Sequence, residues 1–153
     1  MTIIKKAEEF AKERYKKNNS THQWKHVKEV REIALELAQK FNNIDLEALK
    51  LAIIFHDIDY SNPKMHTENS IKIARKFLRD NGYPKNRIEK VKEIIFSHTT
   101  HLRKKFGAAK LTEGKILYDA DKIIASLEQK KDFSHLLYFP ESRKLLKKLK
   151  TQL

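Results

Sequence analysis

His56 and Asp57 stand side by side at the end of the apolar run Leu51-Ala-Ile-Ile-Phe. An imidazole and a carboxylate are both good ligands for a divalent metal, and here they fall where a buried helix runs out. Asp57 adds a physical conflict. The C-terminal end of a helix carries the negative pole of its dipole, so a bare aspartate is poorly placed there. A nearby cation resolves the conflict, and so does exposure to solvent at the head of the loop Ile58 to Pro63. Three other positions invite similar questions. His26 lies four residues before Val30 and eight before Ala34, at the edge of an inward face, where a histidine serves as a packed core residue as well as a ligand. Asp121 lies at the margin of the apolar set Ile116, Leu117, Ala120, Ile123 and Ile124. An acid there is costly unless it is paired or bound to a metal, and Lys115 or Lys122 could pair with it in solvent. His98 closes another apolar stretch, with His101 one turn on.

The elements that must position these groups are helices. The chain has only three glycines and three prolines, and its apolar residues recur at spacings of three and four rather than two. The pattern predicts a first helix from about Thr2 to Lys17, broken at Asn18-Asn19-Ser20, with Ser20 or Thr21 capping a second from about His22 to Phe41. Asp45 caps a third helix, Leu46 to about His56, which is apolar on most sides and so reads as a central, buried one. A loop from Asp59 to Thr67 carries Asp59, Lys64 and His66. A fourth helix follows from about Glu68 to Asp80, ended by Asn81-Gly82, and Pro84 opens the fifth helical region. Leu102 to Leu111 reads as a basic exposed loop, and the tail from Phe133 to Leu153 as aromatics followed by a basic amphipathic helix.

At 153 residues the expectation is one domain, 1–153, with a core of about 20–127 on which helices 2–17 and about 134–153 pack. The absence of cysteine excludes disulfides, thiolate metal sites and cysteine nucleophiles. The N-terminus turns charged too early for a signal peptide, and no apolar run approaches the roughly 20 residues of a membrane span, so the expected setting is cytoplasmic, with no membrane partner. The net charge of +13 suits a lysine-rich soluble surface and also a polyanionic partner such as nucleic acid. There is no internal repeat, glycine-rich phosphate loop, zinc-knuckle spacing or Ser-His-Asp arrangement.

Five stretches fall in the order His22-Gln-Trp-Lys-His26, Ala52-Ile-Ile-Phe-His56-Asp57-Ile-Asp59, His66-Thr-Glu68-Asn-Ser70, Ile94-Ile-Phe-Ser-His98-Thr and Leu117-Tyr-Asp-Ala-Asp121-Lys122. In that order the chain resembles the HD-domain superfamily of metal-dependent phosphohydrolases over most of its length. The resemblance implies an all-α, compact helical bundle of about six or more helices. It implies a metal held by His26, His56, Asp57 and Asp121. Two imidazoles and two carboxylates suit Mn, Fe, Co, Ni or Zn, with Mg less favoured. His66 and His98 match positions where some members hold a second ion, with Asp57 bridging, and where single-metal members could bind phosphate. Asp59 and Lys122 are the candidate catalytic groups, one to orient or deprotonate water and one to meet phosphate; His22 is a candidate supporting group behind a ligand or the substrate.

The expected activity is hydrolysis of a nucleotide or another small phosphate ester by metal-activated water. The alternative is a binding module in which the metal is structural or vestigial and the basic surface docks nucleic acid or a protein. Two departures leave the substrate open. A bulky tyrosine stands in Ile58-Asp59-Tyr60, and His101 follows His98-Thr-Thr where the branch that hydrolyses dinucleoside polyphosphates usually has glycine. The oligomeric state is not legible.

Overall fold

The computed structural model describes residues 1–18 and 23–152. Eight α-helices occur among them: α1 Ile3–Tyr15, α2 Trp24–Ala38, α3 Leu46–Phe55, α4 His66–Asp80, α5 Lys85–Phe96, α6 Thr100–Phe106, α7 Thr112–Gln129 and α8 Pro140–Thr151. A short 3-10 turn, Ser134–Leu136, precedes α8, and no strand occurs among the described residues. The all-α expectation holds.

α3 is the axle. Every residue from Ala48 to Phe55 except Lys50 is fully buried, because α1, α2, α4, α5 and α7 all pack around it. Leu46, at its first turn, is an exception to the apolar reading and stands 46% exposed. Asp45 starts the helix. Its Oδ1 accepts the amide of Ala48 at 3.1 Å, as an N-cap should, and Arg87 of α5 grips both carboxylate oxygens at 2.6 and 2.9 Å. The start of α3 is thereby tied to α5, on which it packs along its length.

α2 and α7 make the most extensive helix pairing among the described residues, and Val27, Val30, Ala34 and Leu37 of α2 share the core with Ile116, Leu117, Ala120 and Ile123 of α7. The approach of α7 to α5 depends on Gly114. A Cβ there would sit 2.8 Å from Ser97 Oγ, the residue before His98. α8 adds Leu145 and Leu146 to the same core that holds Ala7 and Ala11 of α1.

Two elements differ from the sequence expectation. The stretch from Leu102 contains a helix, α6, whose Thr99 side chain accepts the Leu102 amide at 3.2 Å. Only Leu102 of α6 is buried, so its basic residues gave no helical stripe to read. α4 begins two residues early, which makes His66 its first residue and not part of the preceding loop. The proposed caps Ser20 and Thr21 lie outside the described residues.

Candidate metal centre

Three helix ends and two helix faces supply the site. His56 and His98 each stand just past a helix, α3 and α5, where the last carbonyls have no intrahelical partner. Each histidine uses that position. His56 Nδ1 donates to Ile53 O at 2.6 Å, and His98 Nδ1 donates to Ile95 O at 2.6 Å. His66, opening α4, does the same to Pro63 O at 2.9 Å. A carbonyl can only accept, so all three rings carry a proton on Nδ1 and turn Nε2 to the interior. His26 comes from the inward face of α2 and Asp121 from α7.

These groups converge on Asp57, whose two oxygens divide the work. Oδ2 lies 3.4 Å from His26 Nε2 and 3.4 Å from His56 Nε2. Asp121 Oδ1 closes that group, 3.1 Å from His26 Nε2 and 3.6 Å from His56 Nε2. Oδ1 of Asp57 faces the other way, 3.3 Å from His98 Nε2 and 3.6 Å from His66 Nε2. The structure thus forms two clusters sharing one carboxylate: His26, His56, Asp57 and Asp121, then Asp57, His66 and His98. Within each, the ligand atoms lie within 4.8 Å of one another.

The donor chemistry fits a cation. His66 Nε2 and His98 Nε2 stand 3.3 Å apart, and with Nδ1 already donating, neutral rings would turn their lone pairs on each other. His56 Nε2 is fully buried and makes no hydrogen bond among the described residues. Buried acceptors aimed at acceptors are costly, and positive charge between them removes the cost. The titration behaviour agrees. Burial presses the His26 imidazole down, but its bonds to Asp121 and Asp57 outweigh burial and raise it to about 10. His56 follows, with burial opposed by the charge of Asp57, for a net rise. Burial pushes the Asp121 carboxyl up, but its bond from His26 and the approach of the His56 imidazole outweigh that and bring it well below the carboxylate range. His66 is pushed down, by burial and then by His98, which keeps it a neutral donor. HD domains bind divalent metals, and these two sets of side chains can hold them.

The remaining candidates sit differently. Lys122 is at the rim, its Nζ 3.9 Å from Asp121 Oδ2 and 5.4 Å from the Tyr118 ring centre. Asp59 belongs to neither cluster. Its Oδ1 accepts the amide and hydroxyl of Ser61 at 3.0 and 2.6 Å, and these bonds pull its carboxyl below the usual range. His22 lies outside the described residues. The ring of Tyr60 lies 4.5 Å from that of His66. Beside His66 opens a cavity of about 490 Å³ with Lys64, Thr99, His101 and Leu102 in its walls. Asp119 went unnoticed in the sequence. It is fully buried and accepts the amides of Tyr138 and Phe139 at 2.8 and 3.1 Å, which anchors the segment leading into α8.

Residues 24–126 match the family model of the HD domain. The chain belongs to the HD-domain family. The matched segment runs from the start of α2 almost to the end of α7 and contains all six residues of the two clusters. The HD fold is also seen in a crystal structure described as a predicted HD superfamily hydrolase from an uncultured Thermotogales bacterium. The similarity has a TM-score of 0.72 and 23% identity, covering 94% of this chain and 83% of that one. Comparison with curated proteins finds no match. Among the described residues, no helix of this HD protein is long and apolar enough to cross a membrane.

Proposed function

We propose that the chain is a metal-dependent phosphohydrolase acting on a nucleotide or another small phosphate ester. The observation that carries the proposal is the division of Asp57 between two groups of inward-facing electron pairs. His26, His56, Asp57 Oδ2 and Asp121 would hold one ion; His66, His98 and Asp57 Oδ1 are placed to hold another. A bound divalent ion supplies Lewis acidity toward a phosphate oxygen and makes water a competent nucleophile near neutral pH.

The chain's own residues supply the rest. The Nδ1 bonds of His56, His66 and His98 lock the tautomer and aim each ring. The same bonds turn Nε2 of His66 and His98 toward Asp57 Oδ1, the arrangement a second ion would use, and the lowered value of His66 leaves its Nε2 without a proton to give a phosphate oxygen. Lys122 is placed to meet phosphate charge at the rim. The cavity beside His66 is placed to take the organic part of the ester, with the Lys64 ammonium and the His101 ring available to it. Asp59, held by Ser61, closes the loop next to the site and is a weak base at that low pKa.

The test is release of phosphate from a panel of nucleotides and of non-nucleotide phosphate esters, with Mn(II), Co(II), Ni(II) or Mg(II) added. Metal-dependent turnover of panel members is expected. A chain that binds metal yet hydrolyses nothing across the panel would count against the enzyme. One observation supports the binding-module alternative: Arg143, Lys144, Lys147 and Lys148 of α8 are all exposed on one basic helix. Nucleic-acid affinity that falls steeply with salt, without turnover, would favour it.

A further inference from the structure

Asp57 is held from behind by the end of α1. The ring of Tyr15 is buried against Trp24, and its hydroxyl reaches past the last turn of α3. There it donates to Ile54 O at 2.8 Å and accepts the amide of Asp57 at 3.2 Å. Asn18, three residues on, takes the other side of the same residue. Its Nδ2 donates to Asp57 O at 3.0 Å, and its Oδ1 accepts the amide of Tyr60 at 3.2 Å. The Gln23 side chain in turn donates to the carbonyl of Asn18. Both main-chain polar groups of Asp57 are therefore tied to the end of α1 and the turn that follows it, and so is the amide of Tyr60, whose ring lies 4.5 Å from that of His66.

Asp57 stands beyond the end of α3, where the helical ladder no longer fixes the backbone. It is also the ligand common to both clusters, so a turn of its peptide moves both oxygens against four imidazoles only 3.3–3.6 Å away. A buried phenol hydroxyl and a buried amide are costly unless bonded, and an apolar side chain would fill either space without that cost. Their polar atoms act on the backbone that carries the shared carboxylate. Both residues lie outside the segment 24–126 matched to the HD family.

We infer that Tyr15 and Asn18 are positioning residues of the metal centre, setting its metal affinity by fixing the Asp57 peptide, an inference that rests on the metal-binding reading above. The experiment measures Co(II) affinity from visible absorption, and the melting temperature of the metal-free protein, in the parent chain, Tyr15→Phe, Asn18→Ala and Tyr83→Phe. Tyr83 is the control: it loses hydroxyl bonds to Glu47 and Arg87 of 2.5 and 3.2 Å but touches no ligand. Tyr15→Phe and Asn18→Ala are each expected to weaken Co(II) binding about tenfold or more, as removal of groups that orient metal ligands does. Tyr83→Phe is expected to keep the parent's affinity, whatever its melting temperature. Parent-like affinity in Tyr15→Phe and Asn18→Ala overturns the inference, and so does an equal loss in Tyr83→Phe, which would mark a general effect of destabilisation. Should one of the two variants fail to fold, the other decides by the same criterion. A parent chain that binds no Co(II) refutes the metal-binding reading itself, and the inference falls with it.

Discussion

Asp45 holds the start of the helix that ends in the candidate metal centre, and its contribution can be worked out and then titrated away. The carboxylate caps α3 through the Ala48 amide and binds the Arg87 guanidinium through two hydrogen bonds, with Lys90 Nζ at 3.2 Å. Loss of an aspartate N-cap costs about 1 kcal/mol. The ion pair is partly exposed, with side chains 16% and 30% accessible, so solvent screening keeps its value near about 1 kcal/mol. Asp45→Ala, which removes both, should cost about 2 kcal/mol, a fall of roughly 4–8 °C in melting temperature for a domain of this size. Asn caps a helix as well as Asp does, so Asp45→Asn should cost only the ion pair, about 1 kcal/mol.

The pH dependence separates the two losses. The Arg87 guanidinium holds the Asp45 carboxyl well below the usual carboxylate range. A folded-state value lowered in this way contributes stability that is fully present above the unfolded value of about 3.9 and is lost as pH falls through the folded value. The gap between parent and Asp45→Asn should therefore be complete at pH 7 and close progressively below about pH 4. Urea unfolding of the metal-free proteins from pH 7 to pH 3 measures it. A gap that stays constant down to pH 3 would refute the ion-pair account, and a parent-like Asp45→Ala would refute the whole of it.

Three further outcomes are expected. Asp119→Ala leaves the amides of Tyr138 and Phe139 without their acceptor, so hydrogen exchange should accelerate through 138–151 and stability should fall by about 2 kcal/mol; unchanged exchange in α8 would contradict the anchoring role. His98→Ala should lower the bound-metal stoichiometry by one while the His26, His56 and Asp121 group keeps its ion, and mass spectrometry of the native protein would show a loss of both ions or of neither if the clusters are not separate sites. Lys122→Gln should raise KM for a phosphorylated substrate by about tenfold, the value of one charge-assisted hydrogen bond, with metal content unchanged. A variant that instead loses metal would place Lys122 in support of Asp121.

The bundle was legible where one physical pattern dominated. α3 announces itself by apolar residues on most sides, and an apolar helix ending in His56-Asp57 has orphan carbonyls for the histidine and a dipole that asks for a cation. Asp121 stood out because it interrupts an apolar stripe, and the structure brings it to His26 across α2 and α7. The same reasoning passed over Asp119, two residues earlier, because its partners come from 138 and 139 and no local spacing reveals them. Tyr15 fell within the expected first helix and Asn18 read as a helix breaker; neither reading touches the hydroxyl and amide that reach the end of α3. α6 failed to register because a helix with a single buried side chain leaves almost no periodicity in the sequence. Asp59 was singled out by its closeness in sequence to His56 and Asp57, and spacing alone did not show that the folded loop brings its carboxylate to Ser61.

The central claim is that Asp57 is the carboxylate around which metal and hydrolysis are organised. The most direct measurement is metal content and phosphate release from the same preparations of the parent chain and Asp57→Ala, each folded as judged by circular dichroism. The account predicts bound divalent metal and metal-dependent turnover in the parent, and loss of both in the variant. A parent that takes up no divalent metal, or an Asp57→Ala variant that keeps both metal and turnover, would contradict it.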